Sequence, residues 1–313
     1  MSGRKGDVSM IKSAPDEVQS KGSTKVGLSA VLSNEGVVDS ALLNRLGCQV
    51  GRVALSRVGS RLRQLVRPAT STQEREIRGQ GYTLLRDFLP ADAFEKVRDE
   101  YWAVMTDPDT PKRRIRDTAG CVRETYYLEE NCPAKACLTE IYNNETLRSL
   151  LMCSEGVAPN AFDQGVFQVA FWRHRMDDGS FSDALSSDHS NSEFHSDTFY
   201  TISKAFFYVE PSDSNNGAHR YVPNSHRLTL ARLRFEYQNS VVGRRSSPRV
   251  PESEIGRYGG EPLTFDLPGN SLIVENTFGF HAAGSIKPGR ERNLIYLQFR
   301  WPPFGRLTRD AKG

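Results

Sequence analysis

The sequence predicts a mainly β protein with flanking helices, an α+β arrangement, and two observations predict it. From residue 165 onward, apolar residues alternate with period two in short runs at 166–172, 204–209, 263–266, 271–275 and 292–299. Turn signals separate the runs: Asp178-Gly179, Asn216-Gly217, Pro268-Gly269-Asn270 and Pro288-Gly289. Many short strands punctuated this way suggest a sandwich or barrel. In the first half, apolar residues recur instead at three- and four-residue steps, the period of a helix. Those helices are expected to buttress one sheet.

Taken in order, residues 1–38 are rich in Ser, Gly, Lys, Asp and Glu and lack a periodic pattern. They read as largely disordered. In 40–67, Leu42, Leu43, Leu46, Val50, Val53, Ala54, Val58, Leu62, Leu65 and Val66 form a helical stripe, with arginines largely off it and Pro68 ending it. A basic amphipathic helix of this kind rests on an anionic membrane surface or packs on the protein itself. Packing on the catalytic domain or a partner subunit is the expectation. Residues 1–72 are read as an N-terminal extension and 73–313 as one catalytic domain. That domain opens with a strand at 81–89. Pro90 then begins a helix, because Pro suits a first helical turn. Phe94, Val97, Tyr101 and Val104 mark the buried side of that helix, and a second helix is expected at 145–152.

Composition narrows the function classes. The chain has 313 residues, long enough for one large core or two small ones. Its net charge of +3 is uneven: residues 1–70 carry 11 Lys/Arg against 5 Asp/Glu, and the remainder 30 against 33. The larger part is therefore not a nucleic-acid binder by charge. Five cysteines at no zinc-like spacing, with no apolar leader, read as reduced thiols in a cytoplasm. No apolar run is long enough to cross a bilayer.

The chemistry concentrates at His195, Asp197 and His281. Residues i and i+2 of a strand share a face, so His195 and Asp197 can reach one metal from a single strand end. His281 must come from another strand. Two imidazoles and a carboxylate are the ligand set of a non-haem Fe(II) site with open positions. Three open positions suffice for a bidentate 2-oxo acid and O2. Arg292 follows His281 by 11 positions, on a strand face shared with Leu294, Tyr296 and Gln298. A buried Arg needs a partner, and a bidentate carboxylate is a natural one. The far carboxylate of 2-oxoglutarate fits. The blander readings are a sheet-edge histidine, a turn-capping aspartate and an Arg292–Glu275 ion pair. Gln168, on the strand 166–172, either contacts a co-substrate or makes an ordinary core hydrogen bond.

The stretch Asn216-Gly217-Ala218-His219-Arg220-Tyr221-Val222-Pro223-Asn224-Ser225-His226-Arg227 resembles the N-G to P-G-S/T-H-K/R segment of phytanoyl-CoA dioxygenase-like enzymes. The order His-x-Asp, this stretch, a distal His and an Arg 11 residues on also resembles that family, over roughly residues 75–303. The resemblance implies a double-stranded β-helix (jelly-roll, cupin-like) core with an N-terminal helical extension. It implies His195, Asp197 and His281 as iron ligands and Arg292 as the 2-oxoglutarate anchor. It also implies Phe206 as a ring lining the co-substrate pocket. The sequence departs from the pattern at three places. Ala283 stands where the family often has Ser, leaving Ser285 to supply the hydroxyl. Asn224 replaces the Gly of P-G-S-H. The Lys expected after 166–172 is absent, with Arg173 or His174 in its place. His219 and His226 are read as structural.

The expectation is thus an Fe(II)- and 2-oxoglutarate-dependent dioxygenase using O2, one that hydroxylates a polar small molecule. Asp197 favours hydroxylation, since related halogenases lack the carboxylate. Two segments read as substrate-covering loops: 175–194, and 228–262 with Arg244, Arg245, Arg249 and Arg257, which suit an anionic substrate. The alternatives are a 2-oxoglutarate-gated binding module and a zinc hydrolase built on the same ligands. Oligomeric state is left open.

Overall fold

The computed structural model describes residues 40–129, 132–187, 190–242 and 247–301. The disorder expected for 1–38 lies outside the described residues, as do Arg244 and Arg245.

Thirteen strands are described: β1 Tyr82–Leu85, β2 Arg113–Arg116, β3 Cys121–Tyr127, β4 Val166–Met176, β5 Leu185–Ser186, β6 Phe194–His195, β7 Ile202–Tyr208, β8 His219–Tyr221, β9 Arg249–Val250, β10 Leu263–Thr264, β11 Ser271–Asn276, β12 His281–Ala283 and β13 Glu291–Arg300. They form an eight-stranded sheet in the order β1-β11-β7-β13-β4-β3-β2-β5 and a five-stranded sheet in the order β10-β8-β12-β6-β9. Every pairing is antiparallel except β2 with β5. The arrangement is mixed α/β with large antiparallel sheets, consistent with a jelly-roll core.

Alternation along the central strands divides the molecule into layers. Val169, Phe171, Ala205, Phe207, Ile295, Leu297 and Phe299 face the helices and join one core with Val97, Tyr101, Leu147 and Leu151. Their neighbours Ala170, Phe206, Tyr208, Ile273, Leu294 and Tyr296 face the other way, against Tyr221 and Phe265. Burying each such large apolar side chain contributes about 1.5–3 kcal/mol, so both faces of this sheet are fixed in register. Phe194, Phe280 and Ala282 belong to a third cluster, on the side of the smaller sheet away from the second core.

The helices are α1 Ala41–Arg45, α2 Cys48–Val66, α3 Thr72–Gln80, α4 Ala91–Thr106, α5 Glu145–Cys153 and α6 Leu230–Val242, besides short turns. Pro90 caps α4 from outside rather than opening it. Ser71 and Asn144 accept hydrogen bonds from Glu74 N and Leu147 N, capping α3 and α5. Two expectations need correction. The segment 228–262 is not a continuous loop: it contains α6, whose Arg232 and Glu236 are buried and paired at 2.8 Å. The 40–67 helix does pack on the rest of the chain, but through its polar side. Arg52, Ser56, Arg57 and Ser60 are buried, whereas Leu55, Val58, Leu62 and Leu65 are exposed. The arginines reach acceptors that the leucines cannot use. Arg57 donates to His226 O at 3.0 Å and to Thr201 Oγ1, and Arg63 pairs with the buried Glu155. Charge-assisted hydrogen bonds are roughly twice as strong as neutral ones.

Candidate metal centre

β6 and β12 lie side by side with His195 directly opposite His281, and both side chains are buried. Their ring centroids are 4.5 Å apart. Each ring is oriented by a carbonyl two residues earlier in the chain. His195 Nδ1 lies 2.8 Å from Glu193 O, and His281 Nδ1 lies 3.1 Å from Gly279 O. A carbonyl only accepts, so Nδ1 carries the proton in both rings and each Nε2 presents its lone pair. Metal-ligating histidines are oriented in this way.

Asp197 sits just past β6, where its backbone N–H donates to Thr277 O at 3.2 Å. Its Oδ1 is 3.7 Å from His281 Nε2 and 4.0 Å from His195 Nε2. The candidate ligand atoms of the three residues all lie within 4.8 Å of one another. On its other side, Asp197 Oδ2 is 2.9 Å from Lys204 Nζ. Burial alone works to raise the Asp197 pKa, but Lys204, then His281 and His195, outweigh it and hold the carboxyl below its usual range. Burial also works to lower the Lys204 pKa, yet Asp197 keeps it raised. Burial, reinforced by His281, keeps His195 neutral well below its ordinary pKa, and burial lowers His281 too. A neutral imidazole and an ionised carboxylate are the protonation states a cation requires.

The three residues open onto a cavity of about 400 Å³ that Gln168, Phe206 and Arg292 also line. Arg292 extends from β13 and is buried. One of its nitrogens donates to Gly217 O, while its Nε has no partner among the described residues. Glu275, the alternative partner considered for it, is instead 2.7 Å from His219 Nε2. His219 lines the cavity, packed on Phe206 with centroids 4.7 Å apart, and stands outside the metal-ligand trio. His226 is buried elsewhere, its Nε2 3.2 Å from Arg78 O. Ser285 is not brought to this cavity. It lines a smaller neighbouring one of about 150 Å³, which Arg292 and His174 share. Of the two substitutes for the missing Lys, His174 lines the cavity and its Nδ1 has no partner among the described residues, whereas Arg173 pairs with Glu291 at 2.7 Å.

Sequence reasoning missed several lining residues. Lys204 lies two positions before Phe206 on the same strand face, so period-two counting along 204–209 would have found it. Trp172 and Tyr296 stack with centroids 3.8 Å apart and planes within 9°. Arg123 covers the Trp172 ring at 4.5 Å, and Lys204 lies 5.6 Å from the Tyr296 centroid. Nothing local marked that pairing, because the two rings meet only through the β4–β13 register. The cavity lining carries Arg123, Lys204, Arg249, Arg292 and Arg300 against Asp197 as its acid.

No family model matches the chain, and no curated protein matches it. Solved structures do. The epimerase SnoN, in complex with Fe3+, alpha ketoglutarate and nogalamycin RO, is similar with a TM-score of 0.52 at 14% identity, over 72% of this chain and 81% of that one. AviO1 from Streptomyces viridochromogenes Tue57 is similar over 75% of this chain and 99% of its own, at 12% identity and a TM-score of 0.46. EctD from S. alaskensis, in its apoform, is similar over 74% of this chain and 77% of its own, at 11% identity and a TM-score of 0.46. The first of these likenesses establishes a shared fold.

Proposed function

We propose that this protein is an Fe(II)- and 2-oxoglutarate-dependent oxygenase whose catalytic domain spans 73–313. The observation that carries the proposal is the convergence of His195 Nε2, His281 Nε2 and Asp197 Oδ1 beside a buried Arg292 whose Nε lacks a partner among the described residues. The donor set fits ferrous iron. The unpartnered guanidinium nitrogen in the same cavity fits a carboxylate. The motif 216–227 supports membership of the phytanoyl-CoA dioxygenase-like family and a double-stranded β-helix core.

Ferrous iron with 2-oxoglutarate and O2 supplies an oxidant able to attack an unactivated C–H bond, releasing succinate and CO2. The chain's own residues bind, orient and shield. His195, His281 and Asp197 would hold the metal. Arg292 would hold the far carboxylate of 2-oxoglutarate, with His174 beside it and Phe206 against its carbon chain. Lys204 fixes the Asp197 oxygen that faces away from the imidazoles, leaving the other toward the metal position. The Trp172–Tyr296 stack, with Arg123 and Lys204 against its rings, forms one wall of the cavity and keeps water from that side. We read the substrate as a polar small molecule bearing negative charge, because cations dominate the lining. Hydroxylation is the favoured outcome, since Asp197 would take a coordination position that a halide would otherwise need. An epimerase carries this fold, so the fold alone does not choose between outcomes.

Anaerobic addition of Fe(II) and 2-oxoglutarate to the metal-free protein tests the reading. A visible charge-transfer band is expected, absent in His195→Ala. Air should then release succinate. No band in the wild-type protein, or equal succinate from His195→Ala, would overturn it.

A further inference from the structure

The helical stripe on α2 did not go into the core. Leu55, Val58, Leu62 and Leu65 recur at i, i+3, i+7 and i+10, and they are 54, 55, 58 and 79% exposed. Leu42, Leu43, Leu46 and Val66 extend the patch along α1 and the end of α2, and Leu230, Tyr237 and Val242 add to it from α6. These helices are contiguous. Asn44 Nδ2 donates to Ser240 O at 3.3 Å, and Tyr237 Oη donates to Arg45 O at 3.3 Å. A groove beside Val58 and Leu62 is completed by Arg61, Arg227 and Leu228. Among the described residues, eleven of the fifteen exposed large apolar side chains fall in this one area, so the exposure is a patch and not scatter.

The charge on the patch has one sign. Arg45, Arg61, Arg227 and Arg234 are exposed around it. The sequence 40–67 contains no acid, and the single acid of α6, Glu236, is buried against Arg232. A second copy on a two-fold axis would set these arginines against one another, with no carboxylate of α1, α2 or α6 exposed to pair them. An anionic lipid surface complements both features at once: apolar side chains enter the acyl boundary while guanidinium groups meet headgroup phosphates. On the docked side of α2, Arg52 lies over the Phe199 ring at 4.0 Å, Arg57 donates to His226 O and Arg63 pairs with Glu155. The helix therefore arrives at the bilayer already folded and oriented.

We propose that the face formed by α1, α2 and α6 docks on an anionic membrane surface. This rests on the surface alone and is independent of the catalytic reading. The full chain is to be sedimented with large vesicles of phosphatidylcholine, alone and mixed with phosphatidylglycerol at roughly one part in four. Binding to the mixed vesicles is expected, weakened by added salt, with little binding to the neutral ones. Leu55→Asp/Leu62→Asp should lower the partition coefficient on the order of tenfold or more. Because both positions are exposed, circular dichroism and succinate release should be unchanged. Leu62→Ala provides a milder variant if the double one misfolds, with a smaller loss in the same direction. Failure to bind mixed vesicles, equal binding to neutral ones, or full binding by the folded double variant would overturn the proposal. A dimer in solution that the double variant splits would overturn it as well, assigning the face to a second copy.

Discussion

Lys204 and Asp197 meet at 2.9 Å between Nζ and Oδ2, inside a cavity, with the other aspartate oxygen turned to both imidazoles. The lysine therefore sets which carboxylate oxygen is available. It also lowers the pKa of that carboxyl, against the effect of burial. Replacing Lys204 by Met keeps the stem and removes the charge. Partners of this kind typically affect metal affinity 10–100-fold, so Lys204→Met should weaken Fe(II) binding by about that factor. Anaerobic metal titration measures it. Unchanged or tighter binding would show that Lys204 does not support the metal site.

Arg292 makes the corresponding prediction for the co-substrate. Losing one partner of a buried charge pair costs about 2–5 kcal/mol. Arg292→Ala should therefore raise the 2-oxoglutarate requirement on the order of a hundredfold, leaving bound iron close to wild type. Equal co-substrate affinity in the variant removes the anchor assignment but not the metal assignment.

His226 governs a pH response. Burial, then the nearby Arg57, push its pKa from 6.5 down to about 3. The unfolded chain takes up a proton at this residue below about 6.5, and the folded chain does not until about 3. Its share of stability is complete above the unfolded value and is lost as pH falls through that window, at roughly 1.4 kcal/mol per pH unit. Denaturant midpoints of the metal-free protein at neutral and mildly acid pH test this. His226→Gln should flatten the acid loss, and a loss as steep as wild type would exclude His226 as its source. His174, which burial also holds well below its ordinary pKa, contributes with the same sign.

Gly81 ends α3 at φ +100°, a left-handed cap. A Cβ there would collide with Tyr221 Oη and His226 Nδ1. Gly81→Ala combines backbone strain with overpacking and should destabilise by about 2–4 kcal/mol. Thermal unfolding would show a Tm lower by several degrees, and an unchanged Tm would mean that Tyr221 moves aside freely.

Much of the large sheet was legible because its strands are long and buried on both faces. The runs 166–172, 271–275 and 292–299 each fall within an observed strand, two to four residues longer in two cases and one longer in the other. The strand expected at 81–89 shrinks to β1 because Asp87 adopts a positive φ and Phe88 N bonds instead to Asn270 O. The smaller sheet was largely illegible. Its strands are two or three residues long, too short to show any period. α6 was missed because its buried members are polar, Arg232, Glu236 and Ser240, while Leu230, Tyr237 and Val242 are exposed, so no apolar stripe marks its inner face.

Residue types, spacings and the resemblance of 216–227 were enough to single out His195, Asp197, His281 and Arg292 as candidates, because histidine is scarce in this chain and Arg292 follows the last of the three ligand candidates by 11 positions. They were also enough to set which strand residues share a face, since that follows from backbone period alone. The folded chain decided the rest. Only the pairing of β6 with β12 brings the two imidazoles within reach, and only β7, in the other sheet, delivers Lys204 to Asp197. Tertiary packing also turned α2 over, because buried carbonyls and carboxylates at Glu155 and His226 hold arginines more strongly than the available apolar surface holds leucines. Such pairings join residues far apart in the chain, and no local pattern records them.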